Sequence, residues 1–104
     1  IFINCAFPRL DEEATDPPPV RFGPYTPNPY SASSIINISG MSYGALSKPA
    51  VRALSRGAAL AGCYLNTGEG GLSHYHLEGD CDIIFQIGTA IYGCRNDYGE
   101  LDEE

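Results

Sequence analysis

The sequence contains no tryptophan and a single methionine, and its basic residues are few. Six Lys and Arg stand against 13 Asp and Glu, so the formal net charge is -7. Binding to the phosphate backbone of nucleic acids needs clustered basic side chains that displace counterions. The composition therefore argues against nucleic acid as a partner.

Long apolar runs and cysteine pairs are also missing. No run approaches the roughly 20 apolar residues that a helix needs to span a bilayer, and residues 1–10 lack the pattern of a secretion signal. We therefore expect a cytoplasmic protein with no membrane partner. The cysteines form no CxxC pair, so we expect reduced packing thiols and no metal site at Cys5, Cys63, Cys81 and Cys94.

The apolar content is nevertheless sufficient for a hydrophobic core. Hydrophobic residues make up 43% of the chain and aromatic residues 11%, which is typical of a folded protein. A chain of 104 residues is one small domain or part of a larger one. The chain begins with Ile1 rather than Met, and its acidic end is typical of the first turn of a helix. We therefore expect a piece of a larger domain. The residues of this predicted helix start are Glu100, Asp102, Glu103 and Glu104.

Proline is concentrated near the start of the chain, where residues 1–30 hold seven of the 8 prolines. Because proline fixes φ and lacks an N–H donor, neither a helix nor a central strand can run through this segment. We predict an irregular, extended arm over residues 1–33, which packs on another surface.

The clearest local pattern predicts one helix over residues 48–61. Ser47 stands as its N-cap and Gly62 as its left-handed C-cap, and Pro49 falls in the first turn, where a missing N–H costs nothing. Ser55 lies off the apolar stripe of this helix. The face expected to be buried comprises Val51, Leu54, Ala58 and Ala61.

Three apolar stretches predict strands around this helix. Residues 35–38 predict a short buried strand before the helix, and residues 63–66 predict a second strand after it. Residues 82–89 predict a third strand, or a short helix that leads into a strand. A strand, a helix and a strand with short connections give parallel strands with a right-handed crossover. This order predicts an open doubly wound sheet or a (β/α)8 barrel, in which ligands bind at the carboxyl ends of the strands.

Polar, glycine-rich loops follow these strands at residues 39–42, 66–71 and 86–89. Glycine lets the backbone approach a flat ligand, and Ser, Asn and Gln offer directional hydrogen bonds. Glycine also serves plain turns, so the pattern alone leaves a cofactor site and ordinary turns open. Neither GxGxxG nor GxxxxGK[ST] occurs, which excludes the usual dinucleotide and nucleoside-triphosphate loops.

Two histidines, His74 and His76, stand between the second and third predicted strands. Their alternation is typical of a strand or an extended loop. Because no third ligand is nearby, we expect solvated or hydrogen-bonded side chains rather than a metal site.

The loop sequences resemble the FMN-binding barrel domain of glutamate synthases, and most closely that of the stand-alone glutamate synthase-like proteins. The resemblance is carried by SGMSYGALS at residues 39–47, NTGEGG at residues 66–71 and QIGT at residues 86–89. It implies an α/β fold in which residues 34–104 form about the first three strands of a (β/α)8 TIM barrel. Because a complete barrel needs about 250 residues, we expect that the chain alone neither closes a barrel nor holds FMN tightly.

The resemblance implies a glutamate synthase-type oxidoreductase in amino-acid biosynthesis and nitrogen assimilation. Such an enzyme reduces 2-iminoglutarate, formed from 2-oxoglutarate and ammonia, to L-glutamate with FMN as its cofactor. The electrons come from a reduced carrier, either ferredoxin or NAD(P)H through a partner, and an iron-sulfur cluster is implied only downstream of this chain. Two alternatives stay open: a truncated, non-catalytic relic or interaction module of the same fold, and a related flavoenzyme acting on another amino acid or imine.

The resemblance also assigns roles to individual residues. Glu69 is implied as the catalytic residue nearest the imine, where its carboxylate can stabilise a protonated imine. Two positions depart from long-chain members, with Phe85 in place of a Lys and Thr89 in place of a Ser, and they leave the exact substrate open. The implied flavin contacts are Gly40, Met41, Ser42, Asn66 and Gln86. The implied substrate contacts are Glu69, Gln86 and Thr89.

Overall fold

The computed structural model describes residues 6–7 and 10–102. The expected packing of residues 1–5, the thiol of Cys5 and the acidic residues Glu103 and Glu104 lie outside the described residues. Among the described residues, no helix has both the length and the apolar character that crossing a bilayer requires. After a 3₁₀ turn at Asp11–Glu13, the elements are β1 (Val20–Phe22), β2 (Tyr30–Ala32), α1 (Lys48–Ala61), β3 (Leu65–Asn66), α2 (His74–Leu77) and β4 (Ile83–Ile84).

The helix α1 begins and ends where the sequence predicts. Ser47 precedes it in an extended conformation, and Pro49 lies in its first turn. Gly62 ends it at φ 68°, in the left-handed region where glycine is unstrained. The prediction of this helix is therefore confirmed at both ends.

The buried face of α1 includes a polar position that the predicted stripe omits. Val51 and Ala58 are fully buried as predicted, whereas Ala61 is exposed and Ser55 is fully buried. The Ser55 hydroxyl donates to the backbone carbonyl of His76 in α2 at 2.6 Å. A satisfied hydroxyl can be buried at little cost, so the predicted face is wrong at Ser55 and Ala61.

A small parallel arrangement of strands packs beside α1. β3 pairs in parallel with β4, and Leu65 lies opposite Ile83. On its other side Leu65 forms a parallel bridge with Ile38. The Ile38 N–H donates to the Tyr64 carbonyl at 3.0 Å, and the Ile38 carbonyl accepts from the Asn66 N–H at 3.0 Å. The predicted parallel order of these segments is confirmed.

The first predicted strand is much shorter than expected. Within residues 35–38 only Ile38 pairs, through the isolated bridge, while Ile35 and Ile36 are 66% and 78% exposed. The Ser34 hydroxyl donates to the Ile36 carbonyl at 2.6 Å and accepts from the Ile36 N–H at 3.2 Å. Because this local turn competes with strand pairing, the prediction of a buried strand is wrong for the first half of the run.

The proline-rich arm contains a hairpin that the sequence did not predict. β1 and β2 pair antiparallel, with Phe22 opposite Tyr30, and the prolines between them need no N–H for the ladder. The rings of Phe22, Tyr30 and Tyr64 form a cluster with centroids 6.1, 6.2 and 6.4 Å apart. These contacts attach the hairpin to the residue before β3, and the prediction of an irregular arm is wrong at these two strands.

A second contact attaches the hairpin to Asp82, the residue before β4. The Tyr30 hydroxyl donates to the Asp82 carboxylate at 2.9 Å. Burial of the phenol, followed by this hydrogen bond and the Asp82 charge, raises the pKa of Tyr30 to about 12. The raised pKa favours the protonated phenol, which is the form that donates this hydrogen bond.

The acidic end of the described chain is not a helix start. Arg95 and Leu101 form an antiparallel bridge, and the Asn96 side-chain oxygen accepts from the backbone N–H groups of Tyr98 and Glu100, both at 3.0 Å. An asparagine that binds its own backbone in this way favours a turn. The predicted helix is therefore wrong at Glu100 and Asp102.

The described chain is more open than a compact domain of its length. Its Cα radius of gyration is 16.9 Å, against about 13 Å for a compact domain of 100 residues. Its exposed apolar side chains include Leu60 in α1, which is 90% exposed. The buried hydrophobic residues are Ala32, Val51, Ala58 and Leu65.

An ion-pair cluster at Glu78 joins the end of α2 to α1. Arg52 Nε lies 2.5 Å from Glu78 Oε2, and Arg56 Nη2 lies 3.1 Å from Glu78 Oε1. The hydrogen bond from Arg52, together with the charges of Arg52 and Arg56, holds the pKa of Glu78 below its usual 4.5. Because the folded-state pKa is lowered, this cluster stabilises the fold above the usual carboxyl pKa. Its contribution is lost as the pH falls through the folded-state pKa.

We expect Glu78→Gln to lower the melting temperature slightly at pH 7, because solvent-exposed ion pairs contribute little. The difference from the unmodified protein should shrink as the pH is lowered from 5 and vanish below the folded-state pKa. Circular dichroism, used to monitor thermal unfolding at a series of pH values, measures this difference in melting temperature. Glu12→Gln, at an exposed position in the 3₁₀ turn, is the control. A difference that is independent of pH would contradict the role of the cluster.

Candidate functional site

Three glycine-rich loops lie at one edge of the parallel segments. We name residues 39–42, 66–71 and 86–89 the first, second and third loop. The first loop follows Ile38, and the second begins with Asn66, the last residue of β3. The third loop comes after β4. Because the carboxyl ends of parallel strands meet at the same edge, all the residues predicted for the site come from this edge.

The three loops touch at Gly40. A Cβ atom placed on Gly40 would stand 2.8 Å from the Gln86 Oε1 atom, 3.2 Å from the Gly68 Cα atom and 3.6 Å from the Asn66 Oδ1 atom. A side chain at position 40 would displace the end of the Gln86 side chain and press on the Gly68 backbone, so glycine suits this close approach. The structure thus brings Gly40, Asn66 and Gln86 together.

The first loop lies directly against the second. The Met41 N–H donates to the Asn66 carbonyl at 3.0 Å. A Cβ atom on Gly68 would stand 2.7 Å from the backbone nitrogen of Ser42, and one on Gly70 would stand 2.5 Å from the Ser42 hydroxyl oxygen. Met41 and Ser42 are both half-buried, so this contact still leaves part of each accessible.

Glu69 connects the second loop to the third. A Cβ atom on Gly88 would stand 2.6 Å from the Glu69 Cβ atom and would overlap the Glu69 carboxylate. Glu69 and the neighbouring Thr89 are exposed. Glu69 is therefore accessible to a ligand, whereas Gln86 is half-buried.

Polar groups at this edge are available for a ligand. Within residues 10–102, the Ser42 hydroxyl and the Gln86 side-chain amide have no hydrogen-bond partner. The Asn66 side-chain oxygen accepts from the Gly68 N–H at 2.8 Å, which leaves the Asn66 NH₂ group as a donor. Hydroxyl and amide groups beside exposed glycine backbone suit a flat molecule with nitrogen and oxygen atoms along its edge.

The described part of the chain contains no candidate metal site. It contains no group of three or more His, Cys, Asp or Glu side chains placed to hold a metal ion. The thiols of Cys63, Cys81 and Cys94 are free and half-buried. The chemistry of this edge therefore rests on hydroxyl, amide, carboxylate and backbone groups.

A separate groove of about 510 Å³ lies between the arm and the end of α1. Its lining includes Pro17, Pro19, Ile35 and Gly62. Gly62 precedes β3 in the chain, so the groove lies at the opposite end of the strands from the loops. None of the predicted site residues lines it.

One buried side chain at the site was not among the predicted residues. His76 is fully buried in α2, so the prediction of alternating histidines in a strand or extended loop is wrong. Its Nδ1 atom lies 3.1 Å from the Ser73 nitrogen, and its Nε2 atom lies 2.7 Å from the Met41 carbonyl oxygen. A serine three residues before a polar side chain is a known helix-start spacing, but the contact with Met41 has no local signal.

Comparison with known proteins identifies the family. Residues 15–103 match the family described as the conserved region in glutamate synthase. Over 77 residues, which are 73% of this chain, the sequence is 51% identical to the glutamate synthase large subunit-like protein YerD of Bacillus subtilis, covering 15% of that protein. Over 63 residues, 61% of this chain, it is 41% identical to an archaeal-type glutamate synthase (NADPH) of Dehalococcoides mccartyi, covering 13% of that protein.

A further relative gives the same result. The glutamate synthase large subunit-like protein of Rhizobium meliloti is 41% identical over 58 residues, which are 56% of this chain and 13% of that protein. The chain therefore spans 13–15% of the length of these relatives. No solved structure matches the chain significantly. The family expected from the loop sequences is confirmed, and the chain belongs to the glutamate synthase family of oxidoreductases.

Proposed function

We propose that this chain is part of an FMN-dependent enzyme that reduces 2-iminoglutarate, formed from 2-oxoglutarate and ammonia, to L-glutamate. The single observation that carries the proposal is the meeting of the three loops at Gly40. In this proposal the parallel segments and α1 are the beginning of a (β/α)8 barrel. A reduced carrier supplies the electrons, either ferredoxin or NAD(P)H through a partner, and NADPH stands in the name of the Dehalococcoides mccartyi relative.

The residues at the loops fit a flavin ring. Gly40 in the first loop and Gly70 in the second are exposed, so both present bare backbone that a flat ring can contact. The free groups of Ser42, Asn66 and Gln86 match the nitrogen and oxygen atoms along the edge of such a ring. FMN bound there supplies hydride transfer, and the protein orients the acceptor. The residues proposed to hold it are Gly40, Met41, Ser42, Asn66 and Gln86.

Glu69 is proposed to stabilise the positive charge of the substrate. Its exposed carboxylate lies beside Gly88 in the third loop. A protonated imine accepts a hydride more readily than a neutral one, and a nearby carboxylate favours the protonated form. Gln86 and Thr89, from the same loop, are proposed to contact the substrate and orient it.

Phe85 favours a second candidate function. It is 40% exposed directly before Gln86, at the position where the long-chain glutamate synthases described above carry a Lys. A phenyl ring cannot pair with a substrate carboxylate, whereas a Lys can. The second candidate is therefore a related flavoenzyme that acts on a different amino acid or imine.

We expect Glu69→Gln to leave FMN bound while glutamate formation slows at least tenfold. A charge pair in a partly solvated site contributes about 1–4 kcal/mol, and the neutral amide removes it. The measurement is anaerobic product analysis on the protein purified as its gene encodes it, supplied with 2-oxoglutarate, ammonia and chemically reduced ferredoxin. Glu100→Gln, at an exposed carboxylate outside the three loops, is the control.

The outcomes separate the candidate functions. Unchanged turnover in Glu69→Gln would remove the proposed role of that carboxylate. Turnover by the unmodified protein with other 2-oxoacids, but not with 2-oxoglutarate, would favour the second candidate. A purified protein that contains no flavin and forms no amino acid would be the non-catalytic module considered from the sequence.

A further inference from the structure

A buried polar connection joins both helices to the first loop. The Ser55 hydroxyl of α1 donates to the His76 carbonyl at 2.6 Å and accepts from the Gly79 N–H at 2.8 Å. Ser55 and His76 are both fully buried. The His76 Nε2 atom then reaches the Met41 carbonyl oxygen at 2.7 Å. The connection therefore runs from α1 through α2 to the first loop.

The contacts of the His76 ring determine which nitrogen carries its hydrogen. The Ser73 N–H donates to Nδ1 at 3.1 Å, so Nδ1 is an acceptor without a hydrogen. The Met41 carbonyl can only accept, so Nε2 carries the hydrogen and donates to it. The ring is therefore neutral in this arrangement, and both of its nitrogen atoms have partners.

Met41 is held on both sides of its peptide backbone. Its N–H donates to the Asn66 carbonyl at 3.0 Å, and its carbonyl accepts from His76 at 2.7 Å. These two bonds restrict the orientation of the peptide group that leads into Ser42. Gly68 lies so close to the Ser42 backbone that a small rotation of this peptide changes the contact between the first and second loops.

We propose that His76 is a positioning residue, which sets the place of Met41 and Ser42 and thereby the affinity of the three loops for the flavin ring. The inference deepens the proposed function and rests on it for the identity of the ligand. Without the Nε2 hydrogen, the carbonyl of the half-buried Met41 loses its donor. A carbonyl left without a partner is costly, and the loop moves to regain one.

Two substitutions separate this role from simple packing. His76→Gln places an amide N–H near the position of Nε2 and keeps the donor to Met41, but it loses the acceptor for Ser73. His76→Asn keeps an acceptor near Ser73, but its side chain is too short to reach Met41. Because both variants lose the packing of the ring, both are expected to lower the melting temperature.

We expect His76→Asn to raise the Kd for FMN about tenfold, the effect of about one lost hydrogen bond. Amide hydrogen exchange in residues 39–46 should accelerate by a similar factor. His76→Gln should stay within about threefold of the unmodified protein in both measurements, since the donor is retained. His74→Asn, at an exposed position in the same short helix, is the matched control and should change neither. The two values come from flavin titration and from hydrogen exchange followed by mass spectrometry, both on the deflavinated protein as its gene encodes it.

Every outcome of these measurements either supports or contradicts the positioning role of His76. Equal losses in His76→Asn and His76→Gln, or unchanged exchange in His76→Asn, would overturn it. If exchange responds as expected but the unmodified protein binds no FMN, the positioning role stands and the proposed function fails. If neither variant folds, nuclear magnetic resonance of the unmodified protein with ¹⁵N-labelled histidine decides, because a hydrogen on Nδ1 of His76 contradicts the arrangement.

Discussion

Gly68→Ala is expected to abolish FMN binding and to lower the free energy of unfolding by about 2–4 kcal/mol. Gly68 has φ 70°, a left-handed conformation that costs alanine about 1 kcal/mol. The added Cβ atom would also stand 2.7 Å from the Ser42 nitrogen and 3.0 Å from the Ser42 Cα atom. Both are backbone atoms that cannot rotate away, so the first loop must shift. Flavin titration and urea unfolding of the protein as its gene encodes it measure the two effects.

Gly62→Ala is the matched control, because it separates backbone strain from the close approach of the loops. Gly62 has φ 68°, nearly that of Gly68, and no atom of the described chain lies within 4 Å of a Cβ placed there. Gly62→Ala should lower the free energy of unfolding by about 1 kcal/mol and leave the affinity for FMN unchanged. If Gly68→Ala loses no more affinity than Gly62→Ala, contact between the first two loops is not needed for binding.

The parts of the fold that the sequence predicts are those with local causes. Ser47, Pro49 and Gly62 define α1 from within the helix and its two flanking residues, and the predicted ends are confirmed. The hairpin depends instead on contacts between distant residues. Tyr64 lies 34 positions after Tyr30 in the chain, and its ring packs against that of Tyr30. A segment dense in proline gives no sign of such a partner.

The candidate site likewise has one part that the sequence predicts and another that it does not. Parallel strands bring their carboxyl ends to one edge, which predicts that the glycine-rich loops meet, and Gly40, Asn66 and Gln86 do meet. What each residue binds stays a prediction. The involvement of His76 could not be predicted, because α2 has only 4 residues and shows no helical period. Its partner Met41 lies 35 positions earlier in the chain.

Gly79→Ala is expected to lower the free energy of unfolding by about 3 kcal/mol, because α1 leaves no space at position 79. A Cβ atom on Gly79 would overlap the Ser55 carbonyl and stand 2.5 Å from the Arg56 nitrogen. These atoms belong to the backbone of α1, so relief requires the segment after α2 to move away from the helix. That movement also breaks the bond from the Gly79 N–H to the Ser55 hydroxyl.

Gly57→Ala, inside α1, is the control for this substitution. Nothing in the described chain lies within 4 Å of a Cβ at position 57, and alanine favours a helix interior by about 0.5–1 kcal/mol over glycine. The same change, Gly to Ala, should therefore raise stability at position 57 and lower it at position 79, as measured by urea unfolding. Because Ser55 also holds the His76 carbonyl, the loosened segment should weaken FMN binding as well. Wild-type stability in Gly79→Ala would disprove the packing of this segment on α1. It would also contradict the connection from Ser55 to Met41, which depends on that packing.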